Sequence, residues 1–253
     1  EDESIYNFAR RRFGSAVADI FVDAIIAGIY AGDAKQLILK HAFPQIHKLE
    51  TDYGSVFKGL LNKIKEKRKQ NKNKFTPSSQ LKSFRLGMGQ IIFELGKKYS
   101  KNIITNFEVN NIVKQGCRYA VESNHQSFSA DHVFMCLPSY GVSPIIKGLD
   151  EELACAVNQI RYAPMCVVGL VYTFDAFRNP PEGFGYLKPS SENSVIKGVL
   201  FEHNIFPQKY TEDHLLFRVM IGGMHNPHVL DCSKKKLEDI ALAEIHELFK
   251  PEI

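Results

Sequence analysis

The sequence predicts an α+β fold, and three observations carry that prediction. Apolar residues recur at helical spacing from Ile5 to Ile64, the stripe that lets a helix bury one side. From Cys166 onward they come instead in β-branched runs or strict alternation, the period of a strand. The chain is 44% hydrophobic and 24% charged over 253 residues. That composition is globular and suffices for one large core or two modest ones. Helices followed by strands make an α+β architecture with a mixed or antiparallel sheet. The expected division is a helical, membrane-associating subdomain over 1–79, a central segment over 80–148 and a sheet domain with flanking helices over 149–253.

In chain order, Ser4 is placed to cap a first helix with Ile5, Phe8 and Ala9 inward, ending near Gly14. A second helix from Ser15 sets Val17, Ile20, Phe21, Ala24 and Ile25 on one face. Asp33 and Gln36 have capping-box spacing, so a third helix is expected from Ala34, breaking before Pro44. A fourth runs from Ser55 with Val56, Leu60, Leu61 and Ile64 as its stripe. It enters a basic tract of Lys63, Lys65, Lys67, Arg68, Lys69, Lys72 and Lys74. Like charges in a block repel and read first as a solvated loop. Beside an apolar helix face they also supply what attachment to anionic lipid requires.

A turn at Gly87 and Gly89 leads to a short helix with Ile91, Ile92 and Leu95 inward. Strands are expected over 102–105, 107–114 and 117–123, Gln115-Gly116 turning the last two into a hairpin, and over 132–137. A helix follows from Ser143 through Leu153. The last third gives strands over 166–174, 196–202 and 214–221, both faces of the last meeting other groups. Ser233 then caps a terminal helix with Leu237, Ile240, Ala241, Ile245 and Leu248 on one side.

Other features exclude function classes. A net charge of +4 spread over the chain gives no case for nucleic acid. Five cysteines without a CxxC pair read as reduced thiols. His225 and His228 lack a third ligand in register, so no metal site is expected. No run approaches the ~18 apolar residues of a membrane span, since 16–30 is interrupted by Asp19, Asp23 and Gly28. The chain opens on Glu1 and closes just past Pro251, and it is read as an internal piece of a longer protein. There is no GxGxxG, Walker loop, GxSxG or HExxH. What remains is apolar strands punctuated by Gly183, Gly185, Gly222 and Gly223, where a ligand or a second backbone comes close.

Four segments in order carry a resemblance. They are Phe8-Ala9-Arg10-Arg11-Arg12-Phe13-Gly14 with Gly28-Ile29-Tyr30-Ala31-Gly32-Asp33, then Ala42-Phe43-Pro44, then Ser83-Phe84-Arg85-Leu86-Gly87-Met88. The fourth is Gly183-Phe184-Gly185-Tyr186-Leu187-Lys188-Pro189-Ser190-Ser191, with Gly198-Val199-Leu200 and Ile221-Gly222-Gly223 behind it. Together they resemble the protoporphyrinogen oxidase family of the amine-oxidase-like flavoproteins. The resemblance implies that FAD takes hydride from sp³ meso carbons of a porphyrinogen, repeatedly, until the ring is aromatic, with oxygen or another acceptor restoring the flavin. It implies that Phe184, Gly185 and Leu187 lie beside the macrocycle, with Leu200 and Met220 as further wall and Gly28 near the pocket. Val109 would meet the adenosine half of FAD, Pro138 would sit in a loop near the flavin, and Gly87 lies in the cofactor-side turn. No catalytic side chain and no metal ligand is implied.

Leu86 stands where the family usually has glycine, and Ala34 where it often has proline. The family's N-terminal dinucleotide fingerprint and C-terminal flavin-binding segment are missing, so these residues alone are expected neither to hold FAD tightly nor to turn over. The implied partners are a porphyrinogen, a membrane surface and a second copy in a homodimer. The implied location is the cytoplasmic face of a bacterial inner membrane, or a mitochondrial or plastid membrane. Oxidation of coproporphyrinogen III is the near alternative, and an amine oxidase or carotenoid desaturase a more distant one. A membrane-attached, non-catalytic porphyrin-binding module is the alternative of another class.

Overall fold

The computed structural model describes residues 2–70, 82–207 and 213–252. Two units emerge: Glu1–Lys82 joined with Ala163–Ile253, and Ser83–Tyr162. The helices of the first segment thus share a unit with the C-terminal sheet. Lys72 and Lys74 of the basic tract, with the side chains of 67–70, lie outside the described residues.

In the first unit, α1 (Ile5–Phe13) starts where the Ser4 hydroxyl accepts the Asn7 N–H at 3.2 Å and stops at Gly14, with φ 90°. The next helix departs from ideal spacing. Val17–Val22 winds as a π-helix before α2 (Asp23–Tyr30). An i→i+5 pattern adds a residue to the turn and rotates the stripe. Ala18, Ile26 and Ala27 are buried, while Ile20, Phe21 and Ile25 are exposed. The large apolar residues expected on one face of this helix thus turn that face away from the core.

The expected helix from Ala34 is also corrected. The Asp33 carboxylate does accept the Lys35 N–H at 2.8 Å and the Gln36 amide at 3.0 Å. Yet the Ala34 and Leu37 carbonyls accept the first-turn N–H groups of α1, Tyr6 and Ile5, each at 2.9 Å. Ile38 then bridges Ser4, and the helix, α3, is only Leu39–Ala42. Pro44 opens α4 (Pro44–Tyr53), followed by α5 (Val56–Gln70). Ile5, Phe8, Ile26, Ala34 and Leu39 form the core of this helical part. Phe57, Leu60, Leu61 and Ile64 of α5 are exposed.

In the second unit, α6 (Gly89–Lys98) buries none of its residues, so Ile91, Ile92 and Leu95 do not point inward as expected. β1 (Asn111–Gln115), β2 (Arg118–Glu122) and β3 (Ser127–Ala130) form an antiparallel meander. The Gln115-Gly116 hairpin is where the sequence put it, with Gln115 opposite Arg118. Residues 102–105 and 132–137 are not strands. A 3₁₀ turn at Ser100–Asn102 takes up the start of the first. The second pairs with no strand, and its Phe134 is 90% exposed. Helical residues lie in α7 (Ser139–Ile146) and in α8 (Glu151–Asn158), whose cap is the Asp150 carboxylate on the Leu153 N–H at 2.8 Å.

Back in the first unit, β4 (Met165–Thr173), β5 (Gly185–Leu187), β6 (Ile196–Phe201) and β7 (His214–Gly222) form an antiparallel sheet in the order β4-β7-β6-β5. A short α9 (Glu202–Ile205) leaves β6, and α10 (Lys234–Phe249) starts from the Ser233 hydroxyl cap. Leu215, Phe217, Val219 and Ile221 are buried on one sheet face, packed with Ala241 and Ile245 of α10. Each fully buried side chain of this kind contributes about 1.5–3 kcal/mol. The opposite face carries Leu216, Arg218 and Met220, and it positions the candidate site.

Candidate functional site

The rotated face of helix two and the outer face of the sheet enclose a cavity of about 630 Å³. Ile20, Phe21, Ala24, Ile25, Gly28 and Ile29 line it from the helix. Phe184, Gly185, Tyr186, Leu187, Pro189, Leu200 and Met220 line it from the sheet. All six residues assigned to substrate from the sequence, Gly28, Phe184, Gly185, Leu187, Leu200 and Met220, meet in this one slot. Sequence reasoning missed Ile20, Phe21, Ile25 and Ile29. The available signal was that the helix carries large apolar residues on both sides, Ile20, Phe21 and Ile25 on one and Val22 and Ile26 on the other, more than a single core contact needs.

Local chemistry explains how the walls approach. A Cβ on Gly28 would stand 2.6 Å from Leu187 Cδ2, so glycine lets Leu187 keep its place where the helix lies against β5. Gly185 has φ 138°, and a Cβ there would meet the Val199 carbonyl oxygen at 2.1 Å. Its glycine is therefore required by the β5–β6 pairing, whatever lies in the slot. The Asp23 carboxylate accepts the Ser190 N–H at 2.5 Å and ties the loop after β5 to the helix.

Polar groups near the slot are largely spent on one another. Tyr186 donates its hydroxyl to Glu244 Oε1 at 2.6 Å, and Lys188 Nζ donates to Glu244 Oε2 at 2.8 Å. Burial and then the Glu244 hydrogen bond push the Tyr186 phenol far above its usual range, so it stays a neutral donor. Lys197 is 2% exposed and donates to the Ser194 carbonyl at 3.2 Å, its ammonium disfavoured by burial. The slot can thus offer a flat apolar ligand an apolar surface. It contains no nucleophile and no acid–base pair.

The three cofactor-side residues lie in the second unit. Val109 is not in a strand as expected, but two residues before β1. Pro138 is the exposed N-cap of α7, and Gly87, with φ 84°, sits in the turn before α6. None of the three lines that unit's own cavity, which Ile112, Tyr119 and Phe134 help to form. A dinucleotide pyrophosphate needs free N–H donors at a helix N-terminus, and the turns at Gly87 and Pro138 commit several of theirs locally. The Gly87 N–H donates to the Phe84 carbonyl at 3.0 Å, and the Leu86 N–H to Gln90 Oε1 at 3.2 Å. At α7 the Ser139 N–H donates to the Tyr162 hydroxyl at 3.1 Å.

The described residues thus form an apolar slot between a helix and an antiparallel sheet. The chain belongs to the flavin-containing amine oxidoreductase family, whose model matches residues 1–253. It is 26% identical over 268 residues to the chloroplastic protoporphyrinogen oxidase of Nicotiana tabacum, covering 99% of this chain and 49% of that protein. It is 28% identical over 271 residues to the chloroplastic/mitochondrial protoporphyrinogen oxidase 2 of Arabidopsis thaliana, covering 98% and 53%. A crystal structure from Exiguobacterium sp. 255-15, provisionally described as a protoporphyrinogen oxidase, shares the fold, with TM-score 0.75 and 20% identity over 100% of this chain and 52% of that one. The chain spans about half the length of the curated relatives it matches. The family is one of flavin-dependent oxidoreductases.

Proposed function

We propose that this chain forms the substrate wall of an enzyme that oxidises protoporphyrinogen IX to protoporphyrin IX with FAD. The observation that carries this reading is the slot itself. Its residues offer an apolar surface, and its volume lies within the range of about 300–1,000 Å³ usual for small-molecule sites. The names of the relatives agree with it. Bound flavin supplies the redox chemistry. This chain's residues supply the dry wall: Phe184, Leu187, Leu200 and Met220 against the macrocycle, and Gly28 admitting Leu187. Because the described turns spend their N–H donors locally, the 253 residues by themselves should lose flavin absorbance on desalting. A sample that stayed yellow would refute that part.

The slot's chemistry favours protoporphyrinogen over coproporphyrinogen, which carries more carboxylates. Lys188 is committed to Glu244 and Lys197 is buried, so neither ammonium is open to a ligand. The test is a fluorescence titration of the protein with protoporphyrin IX, the planar product. Saturable quenching is expected, and Met220→Glu, which sets a carboxylate in the wall, should abolish it. No quenching by the wild-type protein, or quenching untouched by Met220→Glu, would end this reading. Turnover by the whole enzyme separates it from a porphyrin carrier.

Peripheral membrane attachment belongs to the same proposal. Among the described residues no helix is long and apolar enough to cross a bilayer. The exposed Phe57, Leu60, Leu61 and Ile64 with the adjoining lysines support contact with one leaflet. The organelles named for the two relatives favour a plastid or mitochondrial membrane over a bacterial one.

A further inference from the structure

The sheet face that forms the slot is mostly apolar and carries a single arginine. Along β7, Leu215, Phe217, Val219 and Ile221 point into the core, which leaves His214, Leu216, Arg218 and Met220 on the outer face. Arg218 is the one lysine or arginine carried by β4, β5 and β7. The only other in the sheet, Lys197 of β6, is buried. Arg218 stands opposite Leu200 on β6 and two residues from Met220, and both of these line the slot. Directly opposed side chains in a sheet root about 5 Å apart, so the guanidinium has the slot's edge within its reach. On the other flank it faces Gly169 of β4, which offers no side chain to crowd it.

Its electrostatic setting is equally particular. Arg218 Nη2 contacts Glu202 Oε1, a carboxylate only 8% exposed, while the arginine side chain is 43% exposed. A guanidinium has five N–H donors in a rigid fork. Glu202 takes one side of that fork and fixes its direction. The remaining donors have no other partner among the described residues, and the side chain is partly open to solvent beside Leu200, a residue of the slot. A cation anchored from behind, beside an apolar floor, matches a ligand with a flat hydrophobic body and a carboxylate at its rim.

We propose that Arg218 is a specificity-determining residue of this slot, binding a carboxylate on the edge of the tetrapyrrole. The inference rests on the tetrapyrrole reading of the slot and adds the group that selects acids over neutral rings. Glu202 is then a positioning residue. Simple removal of Arg218 would leave Glu202 buried without its counter-ion and could unfold the sheet, so the paired change is the informative one.

The experiment titrates the protein with protoporphyrin IX and, separately, with its dimethyl ester, which has the same ring and no charge. The wild-type protein should bind the acid roughly tenfold or more tightly than the ester, the scale of a charge-assisted pair, and added salt should weaken only the acid. The double variant Arg218→Met with Glu202→Leu should bind both at the ester's level, and Arg218→Lys should keep part of the preference. Equal binding of acid and ester by the wild type, or a preference that survives in the double variant, overturns the role of Arg218. Failure of both ligands to bind overturns the tetrapyrrole reading and this inference with it.

Discussion

His203 shows how a single buried base can set the pH range over which the sheet holds. It sits on α9 at 9% exposure, stacked on Phe201 at 6.2 Å and edge-on to Phe217 at 5.6 Å. Its Nδ1 bonds to the Leu216 carbonyl at 3.2 Å, while Nε2 is buried without a partner among the described residues. Burial pushes its pKa down, and the Leu216 carbonyl offsets only part of that. The native imidazole therefore stays neutral where an unfolded one, with a pKa near ~6.5, takes a proton. Below that value the unfolded state binds more protons, so the stability contribution is full above about pH 6.5 and drains away on acidification. Thermal melts at pH 7 and pH 5 should show a larger fall for the wild type than for His203→Phe. Identical falls would remove His203 from the account.

At the scale of elements, the legible ones were those with local caps or local alternation. Ser4 and Ser233 announced their helices, and β7 declared itself by alternation along its length, whereas the Asp150 cap, which splits the helix expected from Ser143 into two, went unread. What misled was tertiary demand on the backbone. Asp33 and Gln36 joined by their side chains instead of closing a capping box, and α1 claimed the carbonyls a helix would have used. In the second helix Ile20, Phe21, Ala24 and Ile25 do share one face as the spacing predicted, but periodicity alone does not say whether such a face meets the core or an open slot. The contact between helix two and β5 is where this geometry becomes testable. An alanine at Gly28 puts its methyl 2.6 Å from Leu187 Cδ2, and the flexible leucine end must swing, with the slot as the open side. Alanine also gains about 1 kcal/mol of helix propensity, so Gly28→Ala should cost little stability while weakening protoporphyrin IX binding roughly tenfold. Adding Leu187→Ala should restore room and affinity. A Gly28→Ala protein that binds normally would show that Leu187 turns elsewhere.

For the whole molecule, the α+β class was readable from periodicity, and the resemblance named six residues that meet in the slot while leaving most of its helical wall unnamed. The exposure of the helical surface was not readable, because a stripe such as Phe57, Leu60, Leu61 and Ile64 reads the same whether it meets a core or a solvent boundary. A soluble protein seldom leaves such a row open without a use. The adjoining lysines, including the half-buried Lys63 and the exposed Lys65, give this one an electrostatic direction. If the row seats the protein on lipid, binding should need both apolar insertion and anionic headgroups, each basic residue near the surface adding about 1 kcal/mol. The protein should float with vesicles containing phosphatidylserine, release as salt rises because surface charge is screened within about 10 Å at 0.1 M, and ignore purely zwitterionic vesicles. Leu60→Ser with Leu61→Ser should abolish flotation while leaving tetrapyrrole titrations unchanged, since neither residue lines the slot. Flotation that is indifferent to both salt and these serines would place the membrane-facing surface elsewhere on the molecule.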